Sequence, residues 1–215
     1  YAIGPKGFQM ESNTNINCYA DKTYYFMNVS PGAGKRIQPF SQPGGNIDMT
    51  INSYQEYQFH EKDDYNIASL GRRWFGDRFD IENNKTFNFD FPGLVTTEPI
   101  NLKVYVVAVA ASQSSMQLGV NGNPITTLSL AGSSKPSVAS ESSFNGNLNV
   151  TSSPISVNLN YDNSGNPSAL AYLDYISIEA TRRLNFDGKQ FKFKNKATAL
   201  SSGIGEYIIS NAFTY

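Results

Sequence analysis

The chain has 215 residues, a formal net charge of -1, 16% charged residues and 13% aromatic residues. That length suits one large β domain or two small ones, and so balanced a charge offers no basic field for phosphates, which sets nucleic acid aside as a partner. The single cysteine, Cys18, excludes an intrachain disulfide and a cysteine-built zinc site, and the longest apolar run, the eight residues 104–111, is too short to cross a bilayer.

Strand signals recur along the chain with Gly, Pro and Asn between them, while helical periodicity is nearly absent. Residues 23–29 (TYYFMNV) read as a strand closed by Ser30-Pro31-Gly32. Residues 49–59 read as one long strand with a bulge near Tyr54, and a short helix is expected over 65–70, before Gly71. Phe87, Phe89 and Phe91 alternate with Asn88 and Asp90, a half-buried strand stopped by Pro92-Gly93. Residues 100–111 form the expected central strand. Residues 115–120 and 126–130 pair through Asn121-Gly122-Asn123, a hairpin signal.

Phe144, Leu148 and Val150 mark the next strand, and Ile155, Val157, Leu159 and Tyr161 alternate with polar residues in another. Residues 162–167 are a turn, residues 171–180 a buried strand, and Phe191/Phe193 and Tyr207/Ile209 begin a further pair. Many short strands with no βα alternation indicate an all-β fold, an antiparallel, jelly-roll-like β-sandwich with a smaller N-terminal β-subdomain. A composition break near 92–99 places the subdomain at 1–95 and the sandwich at 96–184. Residues 185–215 then complete the sandwich or lead into a following domain. The chain starts at Tyr1 and stops within a strand-like pattern at 213–215, so it reads as a piece of a longer exported protein.

Motifs with catalytic chemistry fail on spacing. Gly32-Ala33-Gly34-Lys35-Arg36 has Val29 where a phosphate loop needs its first glycine, and Arg36 where it needs Ser or Thr. His60 is the single histidine, so it must serve any triad, and no Gly-x-Ser-x-Gly elbow occurs. A Cys18–His60 pair has no identifiable orienting group, and Cys18 reads as a packing residue at a strand end. Glu61, Asp63 and Asp64 beside His60 read as a polar loop, and Asp77, Asp80 and Glu82 match no calcium loop and read as a solvated face. Three Asn-x-Ser/Thr sequons, at Asn28, Asn84 and Asn149, are what a chain rich in these residues produces by chance. No catalytic residue, cofactor or metal is expected.

The densest constellation is residues 66–79, NIASLGRRWFGDRF. Arg72, Arg73, Trp74, Asp77 and Arg78 make it the candidate interaction surface, because Trp and Arg carry much interface energy when desolvated. The plainer reading is that Trp74 and Phe75 fill a core while Arg72 and Asp77 tie the loop together.

Four segments in this order, Asp21-Lys-Thr-Tyr-Tyr-Phe, Gly34-Lys-Arg-Ile, Ser69-Leu-Gly-Arg-Arg-Trp-Phe-Gly-Asp-Arg-Phe and Ala171-Tyr-Leu-Asp-Tyr-Ile-Ser-Ile-Glu-Ala-Thr-Arg-Arg-Leu, resemble the region ahead of the peptidase domain in the type IX secretion sortases of Bacteroidetes, which are gingipain-like cysteine peptidases. The resemblance runs from about Asp21 to Leu184 and implies a cell-surface, outer-membrane-associated parent that trims sorting domains from exported cargo and attaches the cargo to lipopolysaccharide. It places the catalytic Cys and His in a later caspase-like domain, so Cys18 and His60 inherit no role. This segment would be an accessory module whose partners are the peptidase domain of the same chain, cargo proteins or an outer-membrane β-barrel. A carbohydrate-binding or adhesin-like sandwich is the alternative, with Tyr24, Tyr54, Tyr57, Trp74 and Tyr172 as platforms. Strand alternation turns about half of such residues inward.

Overall fold

The computed structural model describes residues 26–29, 31–36, 38–39, 41–67, 73–133 and 138–212. The strands in chain order are β1 (Met49–Ile51), β2 (Ser53–Glu61), β3 (Gly76–Phe79), β4 (Asn84–Phe89), β5 (Ile100–Val109), β6 (Ser114–Val120), β7 (Asn123–Leu130), β8 (Ser140–Leu148), β9 (Ile155–Asp162) and β10 (Leu170–Arg183). A one-turn helix, α1 (Lys196–Leu200), and β11 (Gly205–Tyr207) follow.

Two antiparallel sheets face each other as a β-sandwich. One runs β2-β10-β5-β8, with β3 added to β10 beyond the end of β2, and the other runs β4-β9-β6-β7. Alternation builds the core from both inner faces. β5 contributes Leu102, Val104 and Val106, β10 contributes Leu173, Ile176 and Ile178, and β9 contributes Val157, Leu159 and Tyr161, all essentially buried. Phe89 and Phe91 close this core from β4 and the residues after it. The β6–β7 hairpin turns at Asn121 and Gly122, whose φ of 49° and 79° match the left-handed turn that Asn-Gly favours.

β10 is the axis of the larger sheet, with β2 and β3 on one side and β5 on the other. Its register slips between Leu173 and Tyr175, leaving Asp174 as the extra residue of a bulge. The slip keeps Leu173 and Ile176 both on the core side while Tyr172 and Tyr175 both face outward.

Several expectations change. Of the strand expected over 23–29, only 26–29 lie within the described residues; they are not in a strand, and Phe26, Met27 and Val29 are exposed. The long strand over 49–59 is two strands broken at Asn52, two residues before the bulge expected near Tyr54. β1 leaves to pair in parallel with β11, while β2 joins β10. Residues 65–67 are not helical, because Tyr65 bridges Phe75, and 68–70 lie outside the described residues. A helix forms instead at α1, where the Asn195 side chain accepts from the Ala197 N–H at 2.8 Å. Phe191 and Phe193 form no strand; with Tyr54 and Tyr207 they make a row of rings with centroids 5.2–5.8 Å apart. Strands β2, β3 and β4 precede the expected boundary at 95 but pair with β9 and β10 beyond it, so both sandwich sheets are shared across that point. β11 extends the small sheet rather than the sandwich.

Candidate functional site

The Arg/Trp segment divides between two jobs. Its backbone folds back on itself, with Tyr65 and Phe75 exchanging hydrogen bonds at 2.8 and 2.9 Å, and lies on the outer face of the larger sheet over Val107 and Tyr172. Arg73 pins it there. Its guanidinium donates to Glu141 on β8 at 2.6 Å, lies 3.5 Å from Asp174 in the β10 bulge, and sits 4.7 Å above the Tyr105 ring and 5.3 Å from that of Phe75. Trp74 is half-buried, and its indole N–H is buried with no hydrogen-bond partner among the described residues. Arg72 lies outside the described residues. Arg78 is exposed and pairs with Asp80 at 2.7 Å.

Asp77 belongs to the second job. It sits on β3 with φ of 34°, and its carboxylate accepts from the His60 ring at 2.5 Å and from Lys62 at 2.8 Å, which ties β3 to β2. Burial pushes the Asp77 carboxyl up, but the hydrogen bonds and charges of His60 and Lys62 outweigh it and bring it down to about 2. Asp174 goes the other way: burial dominates, Arg73 offsets only part of it, and the carboxyl is raised to about 6. β-strand alternation explains why Glu61, next to His60 in sequence, does not join it, since Glu61 points to the opposite face; Asp63 and Asp64 lie beyond the end of β2. Among the described residues no group of three or more His, Cys, Asp or Glu side chains converges as a metal site. Asp80 is held by Arg78, and Glu82 by Lys85 at 3.0 Å. Cys18 lies outside the described residues.

Of the aromatic platforms expected for sugars, Tyr24 lies outside the described residues, Tyr54 and Tyr172 are buried, and Trp74 is half-buried. Tyr57 lines a groove of about 390 Å³ on the outer face of the larger sheet. The groove has a simple origin. Ser177 on the axial strand β10 is small, whereas its cross-strand neighbours are Phe59 on β2 and Lys103 on β5. One pair further along, Glu179 lies between Tyr57 and Asn101. Ser177, small between Phe59 and Lys103, leaves the depression, and Glu179 continues its floor between Tyr57 and Asn101. Gln55, Thr181 and Lys196 line its far end, and Asn147 on β8 lines its wall.

The lining is polar and internally organised. The Asn101 amide donates to Asn145 and Asn147 on β8 at 3.3 and 3.0 Å. The Lys196 ammonium pairs with Glu179, and the Lys196 backbone N–H donates to Gln55 at 2.8 Å, which ties α1 to the trough. Beyond Ser177 the face continues into stacked Tyr105 and Tyr175 rings, with centroids 6.1 Å apart and planes 17° apart, under Arg73. The sequence held this site as outward-facing positions on four different strands, which become neighbours only once the strand order is known.

No family model and no curated protein matches the chain. Among solved structures, dimeric latent PorU from Porphyromonas gingivalis aligns with 71% of this chain at 20% identity and a TM-score of 0.58. The aligned part spans 15% of that much longer protein. At this identity the likeness is one of fold, and it agrees with the β-sandwich described above. The CBM36-1 domain of a multidomain xylanase from the hindgut metagenome of Trinervitermes trinervoides covers 57% of the chain at 15% identity, but its TM-score of 0.37 is too low to carry an argument. Among the described residues no helix is long and apolar enough to cross a membrane.

Proposed function

We propose that this chain is a non-catalytic accessory module of an extracytoplasmic cysteine peptidase of the type IX secretion sortase kind, at the outer-membrane surface. In that role it scaffolds the peptidase domain of its own parent chain and contacts cargo or an outer-membrane β-barrel. The observation that carries this reading is the fold shared with PorU over 71% of the chain, in a protein of which the aligned part is 15%. A β-sandwich forming a small fraction of a large protein suits a module that positions its neighbours. The commitment of His60 to Asp77 fits a structural role for the one histidine.

Arg73 and Asp77 hold the fold together, so Arg72, Trp74 and Arg78 are left as the contact surface. The test is Arg72→Ala with Arg78→Ala in the full parent protein. Expected are unchanged expression and melting temperature, with cargo processing and partner capture reduced. Normal processing together with normal partner capture would remove this segment from the contact surface.

A second reading, carbohydrate binding by the same module, is favoured by the polar trough beside Tyr57.

A further inference from the structure

The trough on the larger sheet is a built site. Its volume of about 390 Å³ lies within the range of small-ligand sites, roughly 300–1,000 Å³. Most of its lining comes from β2, β5, β8 and β10, rigid strands, with Pro99 just before β5 and Lys196 on α1 at its rim. From Ser177 to Thr181 it runs along β10 for about 13 Å at the rise of a β-strand, which suits a chain-like ligand better than a compact one.

The chemistry of the lining narrows the ligand. Amides from Gln55, Asn101 and Asn147, a hydroxyl from Thr181 and the aromatic ring of Tyr57 are groups that serve polyols: many donors and acceptors around one apolar ring. The amides are already ordered by the Asn101–Asn145–Asn147 and Gln55–Lys196 contacts, so little side-chain freedom is lost on binding.

Charge narrows it further. Lys103, Lys196 and Glu179 line the trough, and Glu61 stands beyond it, opposite Tyr175. Lys196 and Glu179 neutralise each other. Lys103 is half-buried and forms no ion pair among the described residues, so it leaves one positive charge in a polar groove without a matching anion.

We propose that this trough binds a carbohydrate chain that carries carboxylated sugars, with a sugar ring against Tyr57 and a carboxylate set against Lys103. The inference rests on the second reading for the ligand class, and it adds the site, the binding direction along β10 and the acidic character. It does not depend on the parent being a peptidase.

The test titrates the 215-residue chain calorimetrically with oligogalacturonate and alginate fragments, and with neutral galactan and xylan fragments of equal length. Expected is binding of the acidic fragments that weakens with added salt. Lys103→Met should weaken it about tenfold, the size of one charge-assisted hydrogen bond, at an unchanged melting temperature. Asn101→Ala should weaken it too, which guards against an effect peculiar to one variant. Equal binding of neutral and acidic fragments, insensitive to Lys103→Met, overturns the acidic assignment and leaves carbohydrate binding standing. Binding of neither set overturns both. Reduced cargo processing in Lys103→Met parent protein, with no sugar bound, overturns the proposal and assigns the trough to a protein partner.

Discussion

Asp77 and Asp174 have side chains that are each only 10% exposed, yet their surroundings push them in opposite directions. Asp77, at about 2 against the usual 3.8, stabilises the fold above pH 4 and loses that contribution as pH falls through about 2. Asp174, at about 6, binds its proton more tightly in the native state than in the unfolded one. Stability therefore falls as pH rises from 3.8 to about 6 and stays lower above that. Asp174→Asn removes this penalty while leaving Arg73 on Glu141 at 2.6 Å. The variant's gain in unfolding free energy should be smallest near pH 3.5 and grow to a plateau of about 2–3 kcal/mol above pH 6.5. Urea melts of both proteins across that range check it, and a gain that does not change with pH would contradict the assignment. Gly76 supports the other carboxylate. A Cβ there would lie 2.4 Å from the Lys62 Cβ and 2.7 Å from the Lys62 carbonyl oxygen, a backbone approach that cannot be relieved by turning a side chain. Gly76→Ala should cost about 1–3 kcal/mol in denaturant melts and should raise the Asp77 titration towards ordinary values as Lys62 moves away.

At the scale of elements, period-two patterning made most of the sandwich legible. β9 alternates buried and half-buried residues from Ile155 to Tyr161, and β5 does the same over Ile100 to Val106, as their sequences imply. The β6–β7 hairpin was readable from Asn121-Gly122, because that pair tolerates positive φ. What patterning could not supply was partnership. Residues 49–59 carry continuous strand propensity, yet Asn52 breaks them because β1 pairs with a strand more than 150 positions later and β2 with β10. Phe26, Met27 and Val29 have the same propensity and lie in no strand, since local preference without a partner strand leaves backbone groups unpaired. The one-turn helix α1 was hidden for another reason: five residues are too few for periodicity, and only its cap, Asn195, marks it. The trough was legible in its parts and not in its assembly, because Tyr57, Asn101, Asn147 and Ser177 meet only through the order β2-β10-β5-β8. Where patterning and partnership agree the energetic stakes are high. Leu159 is fully buried between the sheets, so Leu159→Ala should cost about 2–5 kcal/mol in a denaturant melt, whereas Asn160→Ala, its half-buried neighbour on the opposite face, should cost far less.

At the scale of the whole molecule, the sandwich binds together residues far apart in sequence. β10 alone joins strands that start at 53, 76 and 100, so its removal would dissolve the larger sheet. The small β1–β11 sheet is linked to this body through Tyr54, Leu184 and Phe191, with Ile51. It also holds Asp48, whose backbone N–H donates to the Ile204 carbonyl at 2.9 Å and whose carboxylate accepts from the Ile204 N–H at 2.7 Å. Ahead of Asp48 the situation differs. The described residues between 26 and 44 contain no strand and are exposed, and the hydrogen bond from Arg36 to the Gly34 carbonyl stays within the segment. Exposure and local hydrogen bonding of the backbone, rather than position near an end, are what license a truncation. Relative to a chain that starts at residue 26, one that starts at residue 45 should therefore keep its melting temperature to within about 2 °C, a shift equivalent to less than 1 kcal/mol for a domain of this size. Starting at residue 53 instead deletes β1, leaves Tyr207 without its strand partner Ile51, and should lower the melting temperature by several degrees. Differential scanning calorimetry on the two truncations separates the cases, and equal losses from both would mean that the segment before Asp48 packs on the sandwich after all.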